Sequence, residues 1–354
     1  MPAAPAEHQR DTVTDRNKVA AALRDAAPGT RIKGRIEVGT TASGMEIGIP
    51  FVALKGYDTG PCFWINGQVH GGEINGILAA FDFLNGVTPG DLRGNLVVTA
   101  TANPLALDAR EKCAPQDGLD LDQSFPGNPS SFITDRLAAA LFAEIRGAAA
   151  GLVLNMHTNP AVMDGRPYAV YKQHPNGRVA EADLLAYIAP FLPTVACQMA
   201  VAPGVGELPG NVAGGLDYQL LAVGTPAFMI ELGGGGRAEH DFIAQGVAGM
   251  RAMAQRLGIL PGKTAAPETI VRVSRRSHLM VSQGGLFRTA RLPGDLVRAG
   301  EPFGEVMNVY GDVVEQPILE HDAIAITFRR DPVVHTGDRY AFIAQEWGTV
   351  AVAY

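Results

Sequence analysis

From Met45 to Leu257 the chain alternates short apolar runs of strand length with segments whose apolar residues recur every three or four positions. Strands separated by such segments build an α/β fold, a mixed, largely parallel sheet flanked by helices. The strand-like runs are Met45–Lys55, Cys62–Gln68, Asn95–Ala100, Gly151–Met156, Tyr168–Gln173 and Pro226–Leu232. Ile74, Ile77, Leu78, Phe81 and Leu84 mark one helix. Leu137, Leu141 and Ile145 mark a second, with Thr134 as its N-cap. Leu184, Leu185, Ile188, Phe191 and Leu192 mark a third, and Ile243, Val247, Met250, Met253 and Leu257 a fourth. Each set gives its helix one apolar face.

The pattern changes after Leu260. ILPGKTAAPET reads as a linker, and beyond it the helical period gives way to short β segments separated by turn residues. We therefore expect an N-terminal extension over residues 1–30 with one helix at Arg16–Ala27, a main domain over 31–264, and a smaller C-terminal all-β domain over 265–354.

Several classes are disfavoured. The net charge is -7 and no block of consecutive Lys or Arg occurs, so neither a nucleic-acid nor a membrane-surface role is expected. No apolar run reaches the ~18 residues of a membrane span. The start, MPAAPAEHQRDTVTDRNK, has no apolar signal core, and cytoplasmic location is the expectation. Cys62, Cys113 and Cys197 are isolated, which fits neither a disulfide framework nor a thiolate zinc site.

Chemistry concentrates where apolar runs end. FWINGQV ends in His70-Gly71-Gly72-Glu73, and a helical segment begins at once. An imidazole and a carboxylate three residues apart can converge on one cation as the chain turns, with the glycines permitting a tight backbone. HxxE alone is a weak pattern, equally a surface His and a helix N-terminal Glu. A second run, GLVLNM, ends in His157. His70, Glu73 and His157 together form the three-donor set of a catalytic zinc site, one Zn2+ per chain, with a fourth position for water. A third run, PAFMI, ends in Glu231, followed by four glycines. A carboxylate there suits a general base, and the glycines suit a loop that passes close to a substrate or moves. Taken singly, His157 also reads as a hydrogen-bonded strand-end residue and Glu231 as a solvated loop edge.

In order along the chain, VHGGE, TANPLALDAR, GLDLDQSFPG, NMHTNP and IELGGGG resemble motifs of the succinylglutamate desuccinylase/aspartoacylase family, a branch of the zinc carboxypeptidase-like hydrolases. The resemblance spans roughly residues 40 to 345. It implies zinc on His70, Glu73 and His157. It implies that Glu231 takes a proton from the zinc-activated water and returns it to the leaving amine, and that Arg110 stabilises the oxyanion. It also suggests a homo-oligomer. The implied activity is hydrolysis of an amide, deacylating an N-acylated amine or amino-acid-like small molecule.

One segment departs from the family pattern. Asp120-Leu121-Asp122-Gln123 stands where Asp-Leu-Asn-Arg is expected. A guanidinium holds a carboxylate through a bidentate fork. Gln123 has no charge, and Asp122 repels a carboxylate. Asp122 and Gln123 then point to a neutral or amine-bearing substrate, unless another cation such as Arg166 or Arg237 takes over. Tyr168 is a further candidate for contact with substrate. The same zinc set would also serve a carboxypeptidase-like or ester hydrolase, and the altered segment leaves room for a non-catalytic binding protein on this scaffold.

Overall fold

The computed structural model describes residues 18–175, 177–201, 211–264 and 266–353. The strands are β1 (Thr30–Thr40), β2 (Glu46–Lys55), β3 (Asp58–Gly67), β4 (Arg93–Thr99), β5 (Leu152–Asn159), β6 (Met163–Gly165), β7 (Tyr168–Lys172), β8 (Ala196–Met199) and β9 (Ala227–Gly234). They continue as β10 (Thr269–Met280), β11 (Gly285–Arg288), β12 (Leu296–Val297), β13 (Glu305–Met307), β14 (Val313–Glu315), β15 (Ala323–Arg329), β16 (Val333–Val334) and β17 (Arg339–Ala351). The α-helices are α1 (Lys18–Asp25), α2 (Asn75–Asn85), α3 (Pro104–Ala109), α4 (Ile133–Gly147), α5 (Glu181–Ile188), α6 (Leu216–Ala222) and α7 (His240–Arg256). Of the helix expected at Arg16–Ala27, Lys18–Asp25 is helical, while Arg16 and Asn17 lie outside the described residues.

The large sheet runs β1-β2-β4-β3-β5-β9-β7-β8-β10-β17-β15-β12, with β6 on β15. Its centre, β4-β3-β5-β9, is parallel. The fold is thus the mixed α/β class that the alternation predicts. The central strands read as unbroken apolar runs because both of their faces are covered. On β3, Phe63 and Ile65 pack with Ile77, Phe83 and Leu84 of α2 and Ile243, Met250 and Met253 of α7. Trp64 between them faces the other way, packing with Leu137, Leu141 and Ile145 of α4. That alternation is the two-residue period of a strand.

Two local expectations are corrected, and one strand lies outside them. Thr134 is not the N-cap of α4 but lies inside it. Asp117 supplies the cap from outside the helix, accepting from Thr134 N and from Thr134 Oγ1, both at 2.8 Å. The third helix stops at Ile188 and tightens into a 3-10 turn, Ala189–Phe191. Pro190 has no N–H to continue the ladder, so Leu192 is left outside the helix with 62% of its surface exposed. Strand β1 escaped the apolar reading because charged residues fill it: Arg31, Lys33, Arg35 and Glu37. It is an edge strand, antiparallel to β2, where charge is tolerated on the open side.

After Leu260 every regular element among the described residues is a strand. Half of these strands, β10, β12, β15 and β17, extend the large sheet, because β10 pairs in parallel with β8 through Arg272↔Ala196 and Val273↔Cys197. Four form a small separate antiparallel sheet, β14-β13-β11-β16. Tyr168 of β7, Met229 of β9, Val273 of β10 and Phe342 of β17 share one apolar cluster across the junction.

Candidate active site

The ligand loop is shaped by what packs beneath it. Asn103 ends the segment after β4, and its Oδ1 accepts from Ala106 N to cap α3. Its Nδ2 donates to Val69 O at 3.2 Å. Pro104 starts the helix and Arg110 ends it in the left-handed conformation (φ 58°). The chain leaving α3 then accepts Gly71 N at Glu111 O, 2.8 Å. A Cβ on Gly71 would lie 1.9 Å from Ala106 O, whereas one on Gly72 would meet nothing within 4 Å. Only Gly71 is there for close approach. We expect Gly71→Ala to cost about 3 kcal/mol and Gly72→Ala under about 1 kcal/mol in thermal unfolding. Equal costs would show that this contact does not hold the loop.

Three donors meet above this loop. Glu73 Oε1 lies 2.6 Å from His70 Nδ1, and Glu73 Oε2 lies 2.9 Å from His157 Nδ1. One donor atom from each residue lies within 4.8 Å of the other two, among the described residues. Each imidazole is gripped from behind through its other nitrogen. His70 Nε2 lies 3.0 Å from Asp120 Oδ1, and Asn155 Nδ2 lies 2.9 Å from His157 Nε2. The second grip continues inward, since Asn66 Nδ2 donates to Asn155 Oδ1 and Thr99 Oγ1 donates to Asn66 Oδ1, both at 2.8 Å. Inner nitrogens converging while outer ones are fixed is how protein imidazoles are prepared for a metal. The donor set therefore fits a divalent cation.

Charge follows the geometry. Burial acts to raise the Glu73 carboxyl, but His70 and His157 outweigh it and hold it at about 2. Burial acts to lower both imidazoles, but Glu73 outweighs it and raises them, helped at His70 by Asp120. Glu231 goes the other way, because burial first and the Glu73 charge second push it up to about 7. Glu231 lies within β9 in register with His157 of β5. Its Oε2 is buried with no hydrogen-bond partner, so it is no solvated loop edge.

These groups line one cavity of about 640 Å³, together with Arg110, Asp122, Gln123 and Tyr168. Tyr168 is the antiparallel neighbour of Glu231. Gln123 is already engaged, donating to Asp120 Oδ2 at 3.1 Å and accepting from Asn211 N at 2.9 Å. Neither arginine suggested as a substitute clamp is placed for it. Arg166 is exposed and absent from the lining, and Arg237 pairs with Asp164 and Glu239. The glycine run is packed, not loose: Gly236 N donates to Gly72 O at 2.8 Å, and a Cβ on Gly235 would lie 2.6 Å from Asn159 O.

Sequence reasoning missed a whole wall. Arg276 and His278 of β10 and Arg339 and Phe342 of β17 also line the cavity. His278 stacks on Phe342 with centroids 4.5 Å apart, and both its ring nitrogens are buried without partners. Burial, then Arg339 and Arg276, bring it down to about 4, so it is neutral at pH 7. The two-residue step from Arg276 to His278 was the available signal, but nothing local told which way that face points. Asp120, to which the sequence assigned no role of its own, holds His70 Nε2 at 3.0 Å and pairs with Lys112 at 2.6 Å.

A helix-flanked mixed sheet thus gathers two imidazoles and a carboxylate at the ends of parallel strands, a candidate metal site. Residues 59–257 match the succinylglutamate desuccinylase/aspartoacylase catalytic domain, and the chain belongs to that family. It is similar to N-alpha-acetyl-L-2,4-diaminobutyric acid deacetylase of Halomonas elongata, at 24% identity over 306 residues, 84% of this chain and 85% of that protein. Its fold is shared with the product-bound ectoine utilization protein EutE of Ruegeria pomeroyi (TM-score 0.79, 21% identity, 91% of this chain and 97% of that one). It is also shared with a succinylglutamate desuccinylase/aspartoacylase of Rhodobacter sphaeroides (TM-score 0.77, 23% identity, 91% and 98%). Amide deacylation is the class of activity these relatives support. No helix among the described residues is long and apolar enough to cross a membrane.

Proposed function

We propose that this protein is a zinc-dependent deacylase that hydrolyses the amide of an N-acylated amine or amino-acid-like small molecule. The observation that carries the reading is the convergence of His70 Nδ1, Glu73 and His157 Nδ1 in one cavity with Glu231, whose Oε2 is sealed from solvent without a partner. When bound there, zinc supplies the Lewis acidity that polarises a carbonyl and makes water acidic enough to attack near neutral pH. Glu231 accepts the proton of the attacking water and returns it to the leaving amine. Its value of about 7 suits both halves of that exchange. Arg110 presents its guanidinium to the oxyanion that develops on the former carbonyl. Asp120 and Asn155 keep the two imidazoles turned toward the cation.

The deacetylase relative favours an amide over the ester and carboxypeptidase-like alternatives, and a Glu231 held ready for proton transfer is superfluous in a protein that only binds. We take residues 31–264 as the hydrolytic unit and residues 265–354 as the unit that walls the cavity. The three cysteines form no disulfide, in keeping with a cytoplasmic setting. The test is a screen of N-acetyl and N-succinyl amines and amino acids. We expect hydrolysis that a chelator abolishes and zinc restores. Hydrolysis indifferent to chelation would sink the metal reading, and cleavage of esters alone would sink the amide reading.

A further inference from the structure

Charge in the cavity is divided. Glu73, Asp120 and Glu231 lie with the donors, while Arg276, Arg329 and Arg339 line the wall that β10, β15 and β17 build. Arg329 is paired with Asp338 at 3.3 Å. The Arg339 side chain forms no ion pair or hydrogen bond among the described residues. His278 is set between cations. In the β10–β17 ladder its row, His278↔Phe342, falls between Arg276↔Ala344 and Met280↔Arg339. Arg276 Cζ stands 5.1 Å from the centroid of the Phe342 ring on which His278 stacks. Phe342 in turn meets Tyr168, centroids 6.3 Å apart, and Tyr168 is the sheet neighbour of Glu231. These rings join the metal end of the cavity to its cationic end.

A phenyl ring would fill the same space against Phe342. The imidazole adds two polar nitrogens, and both are sealed from solvent without partners, which is costly unless a ligand satisfies them. Burial first, then Arg339 and Arg276, hold the ring neutral at pH 7. A neutral imidazole keeps one N–H to donate and one nitrogen to accept. Beside two guanidinium groups the donor is the half that a ligand can use, because the field there attracts an anion and repels an ammonium.

We propose that His278 and Arg339 form an anion subsite for a carboxylate carried on the part of the substrate remote from the scissile amide. Arg339 draws the anion to the wall, and the His278 N–H fixes its position. The carboxylate belongs either to the acyl group or to the amine, and both sources present the same acceptor oxygens. The inference rests on the deacylase reading for the scissile amide, but the subsite is defined by binding and can be tested without turnover.

Two pairs of probes separate the sources. N-acetyl-L-alanine and N-acetyl-L-alaninamide differ by a carboxylate on the amine side. N-propylsuccinamate and N-propylsuccinamide differ by one on the acyl side. Each is titrated calorimetrically into zinc-loaded Glu231→Gln protein, with and without a change at the wall. In at least one pair the carboxylate is expected to bind more than about 10-fold tighter than its neutral amide. His278→Phe, which keeps a ring on Phe342 and removes both nitrogens, should bring that ratio to within about 3-fold. Arg339→Gln should lower the ratio and flatten its dependence on salt. His278→Gln, which restores an N–H, retains most of the ratio and keeps the test decisive if Phe perturbs the fold. No preference in either pair, a ratio unchanged in His278→Phe, an equal loss for both members of a pair, or binding of no probe overturns the subsite. A ratio that follows His278 while the parent protein hydrolyses no amide leaves the subsite standing and overturns the deacylase reading instead.

Discussion

Glu231→Gln lowers turnover by roughly 10²- to 10⁴-fold, the range that a positioned general base contributes, while zinc content stays near that of the parent. An amide has the size of the carboxylate but cannot take a proton from water near neutral pH. The ligands are untouched, because Glu231 makes no hydrogen bond to His70, Glu73 or His157 among the described residues. A variant that keeps full turnover on an established substrate would remove Glu231 from the mechanism. The same substitution has a second signature in the metal-free protein. Glu231 titrates at about 7 in the fold against an ordinary 4.5, so the folded chain holds this proton more tightly than the unfolded one. The stability this supplies is fully present below pH 4.5 and is lost as pH rises through 7. Gln has no such proton to lose. Relative to the parent, Glu231→Gln should therefore gain up to about 3 kcal/mol between pH 4.5 and about pH 8. A flat difference in unfolding free energy across that range would show that the carboxyl is not buried as described.

His157→Ala empties the metal site. Elemental analysis should find about one zinc per parent chain and on the order of a tenth of that in the variant, because two donors remain where a catalytic site needs three. The loss is not confined to the ligand. Glu73 Oε2 would keep only the Thr158 N–H at 3.3 Å, and the amide relay from Thr99 through Asn66 to Asn155 would end on a void. A fall in stability should accompany the loss of metal, since a buried carboxylate would be left partly unpaired. Zinc retained at the parent level would move the cation elsewhere in the cavity.

The parts of this architecture that could be read in the sequence share one property: each is announced within a few residues. His70, His157 and Glu231 each end an apolar run, and a polar residue closing a buried strand stands at the rim where parallel sheets gather ligands. Helix faces were legible for the same reason. What escaped depends on segments that meet only after folding. The capping of α4 by Asp117 reaches across 17 positions, and the grip of Asp120 on His70 reaches across 50. The wall of Arg276, His278 and Phe342 exists because β10 finds β8, whose partner residues stand more than seventy positions earlier. The Asp122-Gln123 departure was visible as chemistry, but that Gln123 is consumed by Asn211 while Asp122 Oδ1 is buried without a partner could be learned only from the folded turn.

The parallel pairing of β8 with β10 has a mechanical consequence. The ligands on one side of the cavity and the aromatic and cationic wall on the other belong to a single hydrogen-bonded lattice that runs from β5 through β9, β7 and β8 to β10 and β17. In a two-piece clamp, a hinge sets the distance between the reacting centre and the selecting wall. Here strand spacing and sheet twist set it, and both are stiff quantities. Such a cavity measures its contents with a fixed ruler. A change in what it accepts has to come from the length and charge of side chains at positions such as 122, 278 and 339, because the frame that carries them has little freedom to open or close.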